Sequence, residues 1–127
     1  MASIFSKIVA GEIPCHKVWE DERHLAFLDV RPIQPGHTLV VPKREVDYLF
    51  ELSPEEQADL WAAVREVEGV LRSQLDFERV VLMVIGYEVR HVHVHLIPTN
   101  EMGDVGMPKP CGMSADEIAA LGARFAG

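Results

Sequence analysis

The chain has only two cysteines, Cys15 and Cys111, with no Cys-x-x-Cys spacing. That excludes a disulfide framework and fits a reducing compartment. No apolar run approaches the roughly 20 residues that a membrane-spanning helix needs, and no charged-then-apolar signal segment opens the chain. The expectation is a cytoplasmic protein. Basic residues are scarce: 12 lysines and arginines face 20 aspartates and glutamates, for a net charge of −8. This argues against nucleic-acid binding, which rests on basic patches. It leaves room for a small phosphate ligand, because a few histidines and backbone N–H groups can make one cleft locally favourable to anions. Hydrophobic residues nevertheless form 48% of the 127 positions, so the chain can bury a core without a disulfide or metal staple.

Turn and cap signals divide the sequence into elements. Ser3 caps a short helix over Ile4–Ala10, closed by Gly11. Strand-like runs follow at Cys15–Glu20 and His24–Val30, separated by Asp21 and Glu22. The stretch Arg31-Pro32-Ile33-Gln34-Pro35-Gly36 reads as a loop, and His37–Val41 as a strand. Ser53-Pro54-Glu55-Glu56 is a capping box with proline at the first helical position. Leu60, Val64, Val67 and Leu71 then mark one face of a long helix reaching about Leu75.

The β-branched run Val80–Ile85 predicts a buried strand over Arg79–Gly86, and His91–Ile97 a further strand. Thr99–Gly112 is rich in glycine and proline and reads as an extended loop. A second capping box at Ser114–Glu117 opens a short helix with Ile118 and Leu121 turned inward. The fold class is α+β: a five-stranded antiparallel sheet with one long helix and short terminal helices. We read residues 1–127 as one domain, with 99–127 as a C-terminal extension.

The most informative segment is His91-Val92-His93-Val94-His95. In a strand, alternation puts the three imidazoles on one face, roughly 7 Å apart, and Val92, Val94 and Leu96 on the other. Alternating imidazoles can ligate a metal such as zinc. They can equally supply a nucleophile whose neighbours handle protons and phosphate charge. Spacing alone does not choose between these. His16 and His24 match no functional pattern and read as surface residues.

The run His91–Pro98 resembles the signature of the histidine triad (HIT) family. So do the opening block Ser3–Pro14, the block Leu25–Pro32, and the block Pro35-Gly36-His37-Thr38-Leu39-Val40-Val41-Pro42-Lys43. The resemblance implies a hydrolase or nucleotidyl transferase that acts on a small-molecule nucleotide, a phosphoramidate or a dinucleoside polyphosphate, and is paired as a homodimer. It implies that His93 is the nucleophile at the α-phosphorus and that His95 contacts the phosphate or leaving group. His91 and His37 would orient the site. Asp29 would hold the ribose hydroxyls, and Ile4, Phe5, Ile8, Phe27 and Val89 would wall the base pocket. The helix Pro54–Leu75, with Trp61, would contribute to the dimer. That scheme needs no cofactor and no metal.

Two departures stand out. The family's structural zinc site uses two cysteines and a histidine where this chain has Ser3, Ser6 and Glu45. Serine offers no thiolate, so no structural zinc is expected. In the glycine-rich turn before the triad, Gly86 and Val89 fit, but Tyr87 and Glu88 replace the usual glutamine and small hydroxyl residue. Glu88 beside a phosphate is unfavourable, so it points away, pairs with Arg90, or changes the substrate. Two further readings therefore stand beside the enzyme: a nucleotide-binding regulatory protein with little turnover, and a metal-binding domain.

Overall fold

Each helix begins where a serine side chain accepts a backbone N–H that the helix leaves unpaired. In this computed structural model, which describes residues 2–126, Ser3 accepts from Ser6, Ser53 from Glu56 and Ser114 from Glu117. The resulting elements are α1 (Ile4–Val9), β1 (Lys17–Glu20), β2 (His24–Leu28), β3 (Thr38–Pro42), α2 (Pro54–Gln74), β4 (Arg79–Met83), β5 (Val94–Thr99) and α3 (Ala115–Ala123). Single 3-10 turns lie at Leu49–Glu51 and Met102–Asp104. The strands form one antiparallel sheet in the order β1-β2-β3-β5-β4.

Alternation along the strands assigns the two faces of the sheet. Ala26 lies opposite Val40 in the β2–β3 register, and both pack with Val94 and Leu96 against Leu60, Ala63, Val64, Val67 and Leu71 of α2. Complete burial of Leu60 or Val67 contributes on the order of 1.5–3 kcal/mol each. Phe27 lies opposite Leu39, and these two join Leu25, Val41 and Phe5 in a second cluster that also takes in Ile8 and Val9. The sheet is thus covered by α2 on one side and by α1 on the other. His95 lies opposite Leu39, which places it on the α1 side.

Four local expectations are corrected. β4 ends at Met83, and the apolar run is not buried: Leu82 is 46% exposed, and Val84 and Ile85 are exposed beyond it. The reason is topological, since β4 is an edge strand paired only with β5 among the described residues. The histidine strand starts at Val94, so His91 and His93 precede it rather than sharing its face. Ile118, 58% exposed, and Leu121 are not turned inward, because α3 buries none of its residues. His24 is buried, with Nδ1 3.0 Å from an Asp21 carboxylate oxygen.

Candidate active site

The segment that carries His91 and His93 is pinned alongside the end of β3 by two bonds. Val92 N–H donates to the Val46 carbonyl at 2.8 Å, and His91 Nε2 lies 2.7 Å from the Pro42 carbonyl. These bonds replace strand pairing, so the two histidines leave the pleat while staying beside the sheet. His95, inside β5, takes its direction from the pleat. The ring centroids of His93 and His95 lie 5.0 Å apart, edge to face, and those of His37 and His95 5.2 Å apart. All four histidines named from sequence therefore converge.

Backbone partners determine the tautomers, because an amide N–H only donates and a carbonyl only accepts. His93 Nδ1 is 2.7 Å from the His91 carbonyl, so Nδ1 carries the proton and Nε2 carries a lone pair. Ile33 N–H donates to His37 Nδ1 at 3.0 Å, which leaves the His37 proton on Nε2. That proton is given to His95 Nδ1 at 2.9 Å, so His95 presents its own proton at Nε2. The pair thus offers opposite groups: a free lone pair on His93 Nε2 and a hydrogen-bond donor on His95 Nε2.

Burial keeps the rings neutral. It pushes the pKa of His93 down, and that of His37 down against the opposing pull of Asp29. His95 is lowered to about 4, by burial first and then by its neighbours His93 and His37. All three are therefore uncharged near neutrality, as a nitrogen nucleophile requires.

Two of the proposed binding residues, Asp29 and Phe5, touch this centre directly. Asp29 places Oδ2 3.5 Å from His37 Nε2, while its Oδ1 accepts from Arg31 N–H and shapes the loop. Phe5 packs in T-shaped fashion against His93 and Phe27, with ring centroids 4.8 and 5.7 Å apart. Ile8 and Val89 pack against the apolar cluster that Phe5 and Phe27 share, while Ile4 is 49% exposed. Glu88 is exposed and Arg90 pairs with Asp47 at 3.7 Å instead. Tyr87 is 81% exposed.

Asp29, His37 and His95 offer ligand atoms within 4.8 Å of one another. A metal there would need a lone pair on His37 Nε2, where the Ile33 N–H bond puts a proton. The hydrogen-bonded arrangement therefore opposes ligation by this trio. Ser3, Ser6 and Glu45 do gather at His91, joined by hydrogen bonds. Sequence reasoning missed the carbonyls of Pro42 and His91 and the N–H of Ile33. Main-chain groups are present at every residue, so no residue pattern can single them out.

A match to the HIT domain model covers residues 10–102, which includes β1 through β5 and every histidine of the site. The chain is 41% identical over 128 aligned residues to the adenosine 5′-monophosphoramidase hnt1 of Schizosaccharomyces pombe, covering 96% of this chain and 94% of that one. It is 39% identical over 108 residues to the protein hit of Bacillus subtilis, with coverage of 80% and 73%. Among solved structures, a member of the HIT family from Bacillus subtilis superposes with a TM-score of 0.83 at 30% identity, covering 99% of this chain and 96% of the other. The sheet order, the converging histidines and these likenesses lead to one assignment: the chain belongs to the HIT family.

Proposed function

We propose that this protein is a nucleoside phosphoramidase or dinucleoside polyphosphate hydrolase that works through a nucleotidyl-His93 intermediate. The observation that carries the proposal is the bond from His93 Nδ1–H to the His91 carbonyl, which reserves the Nε2 lone pair for attack. In the first step that lone pair forms an N–P bond to the α-phosphorus. The bond to the leaving group breaks, and the leaving group departs with the electron pair and takes up a proton from solvent. In the second step water attacks phosphorus, loses its proton to solvent, and the N–P electron pair returns to Nε2. His95 Nε2–H donates a hydrogen bond to a phosphate oxygen or the leaving group, stabilising charge as it develops. His37 fixes the His95 tautomer, and His91 supplies the carbonyl that fixes His93. The phosphoramidase named among its relatives supports this substrate class.

On this reading Asp29 accepts hydrogen bonds from the ribose diol. The apolar surface of Ile4, Phe5, Ile8, Phe27 and Val89 receives the base. Neither step calls for a metal or cofactor. We place the enzyme in the cytoplasm, in keeping with two unpaired cysteines and with no helix of the described residues being long and apolar enough to cross a membrane. We also propose a homodimer. The edge of β4 with exposed Leu82, and the groove between β4 and α2 lined by Trp61, Arg65 and Val80, form the self-complementary face.

The test is hydrolysis of adenosine 5′-phosphoramidate with a chelator present, for wild type and His93→Ala. Turnover that survives chelation and falls at least a thousandfold in the variant is expected. A His93→Ala chain as active as wild type would overturn the intermediate. Tight AMP binding without wild-type turnover would select the regulatory reading, which the Tyr87-Glu88 replacement favours.

A further inference from the structure

One hydrogen-bonded cluster beside the triad has no part in the chemistry above. Glu45 Oε1 accepts from Ser3 N–H at 2.6 Å and from the Ser6 hydroxyl at 2.7 Å. Ser3 Oγ accepts from Ser6 N–H at 2.9 Å and lies 2.7 Å from His91 Nδ1. His91 already gives its Nε2 proton to Pro42, so its Nδ1 holds a lone pair and the Ser3 hydroxyl donates to it. These partners come from sequence separations of up to 88 residues. Glu45 sits on the exposed segment after β3, whereas the His91 ring is 0% exposed. A surface carboxylate thus holds down the start of α1, and the start of α1 delivers a donor to a fully buried ring.

The arrangement reaches His93 by two routes. The main-chain oxygen of His91 is the acceptor that fixes the His93 tautomer. Phe5, two residues after Ser3, packs in T-shaped fashion against both imidazoles, with ring centroids 5.8 Å from His91 and 4.8 Å from His93. Loss of the Ser3 bond leaves a buried nitrogen without a donor, a cost that favours displacement of the whole His91 residue toward another partner. The nitrogen and the acceptor oxygen belong to that one residue, so such a displacement carries the oxygen away from His93 Nδ1.

We propose that Ser3, Ser6 and Glu45 act as a clip of positioning residues that holds His91, and through its carbonyl holds His93 in the tautomer with a free Nε2. This rests on His93 being the nucleophile. It adds that the reactivity of His93 depends on a carboxylate that touches neither substrate nor the reacting ring.

The test compares Ser3→Ala, Ser3→Thr, Glu45→Ala and Glu45→Gln in the full chain, by NMR of the imidazole nitrogens and by phosphoramidate turnover. In wild type His93 should be protonated at Nδ1 and His91 at Nε2. Both alanine variants should turn His93 into a tautomer mixture and lower kcat about tenfold, with KM within about twofold. Threonine keeps the cap and the hydroxyl, and glutamine keeps the Oε1 acceptor, so both should stay within about threefold of wild type. Wild-type spectra and kcat in the alanine variants would overturn the clip, as would conservative variants that fail as fully as alanine. If the alanine chains melt below the assay temperature, Ser6→Ala removes one of the two bonds to Glu45 and leaves Ser3 in place. A smaller shift in the same direction is then expected, and unchanged spectra would count against the clip. The spectra need no substrate, so a wild type with the expected tautomers but no turnover would sink the proposed activity and not the clip.

Discussion

Acidification should unload the histidine cluster in a pH window of its own. The folded pKa of His95 is about 4, below its ordinary value of 6.5, because burial and the neighbouring His93 and His37 disfavour its charged form and Asp29 only partly offsets them. The unfolded chain therefore binds a proton that the folded chain refuses. The resulting stability is complete above pH 6.5, is lost progressively as pH falls from 6.5 toward 4, and is gone below 4. The difference corresponds to about 3 kcal/mol. We take about 2 kcal/mol, since the ring is partly open to water. His37 and His93 shift in the same direction. Carboxylates held low, such as Glu45 at about 2, unload only at more acid pH. The assay is the melting temperature of wild type and His95→Gln from pH 7.5 to 4.5. Glutamine can still accept from His37 but does not titrate. Wild type should lose roughly 6–10 °C more than the variant over that range. Parallel curves, or a wild type that gains stability on acidification, would refute the reasoning. The same neutrality predicts that the acid limb of kcat/KM lies below pH 6.5.

The proposed dimer makes Leu82→Lys a sharp test: a charge on the β4 edge should shift the chain from dimer to monomer in light scattering, and a wild-type monomer at high concentration would remove the proposal. Gly36→Ala should cost about 2 kcal/mol and lower the melting temperature by roughly 5–10 °C. Gly36 has φ +89°, and an added Cβ would lie 2.5 Å from Leu75 Cδ1 and 3.2 Å from Pro98 Cγ. A variant as stable as wild type would show that this turn relaxes freely.

Local rules made much of the fold legible. Ser53, Pro54 and Glu56 specify the start of α2 whatever surrounds them, and its apolar period names the buried face. The likeness of the blocks around His37 and His91–His95 pointed to the site. Patterns failed where burial depends on a partner. Val80–Ile85 has the composition of a core strand, yet its place at the sheet edge leaves much of it exposed. His24 looks polar in sequence, yet β2 packs beneath α2 and Asp21 supplies its partner.

The sequence by itself determined which side chains are available: four histidines of suitable chemistry, helix caps that act over three residues, and a strand period of two. Only the tertiary structure decided what each imidazole can do. The proton on His93 is placed by the His91 carbonyl, that on His37 by Ile33, and that on His91 by Pro42 and Ser3. Tautomers follow the donors and acceptors that folding brings within about 3 Å, and most of those are main-chain groups that every residue possesses.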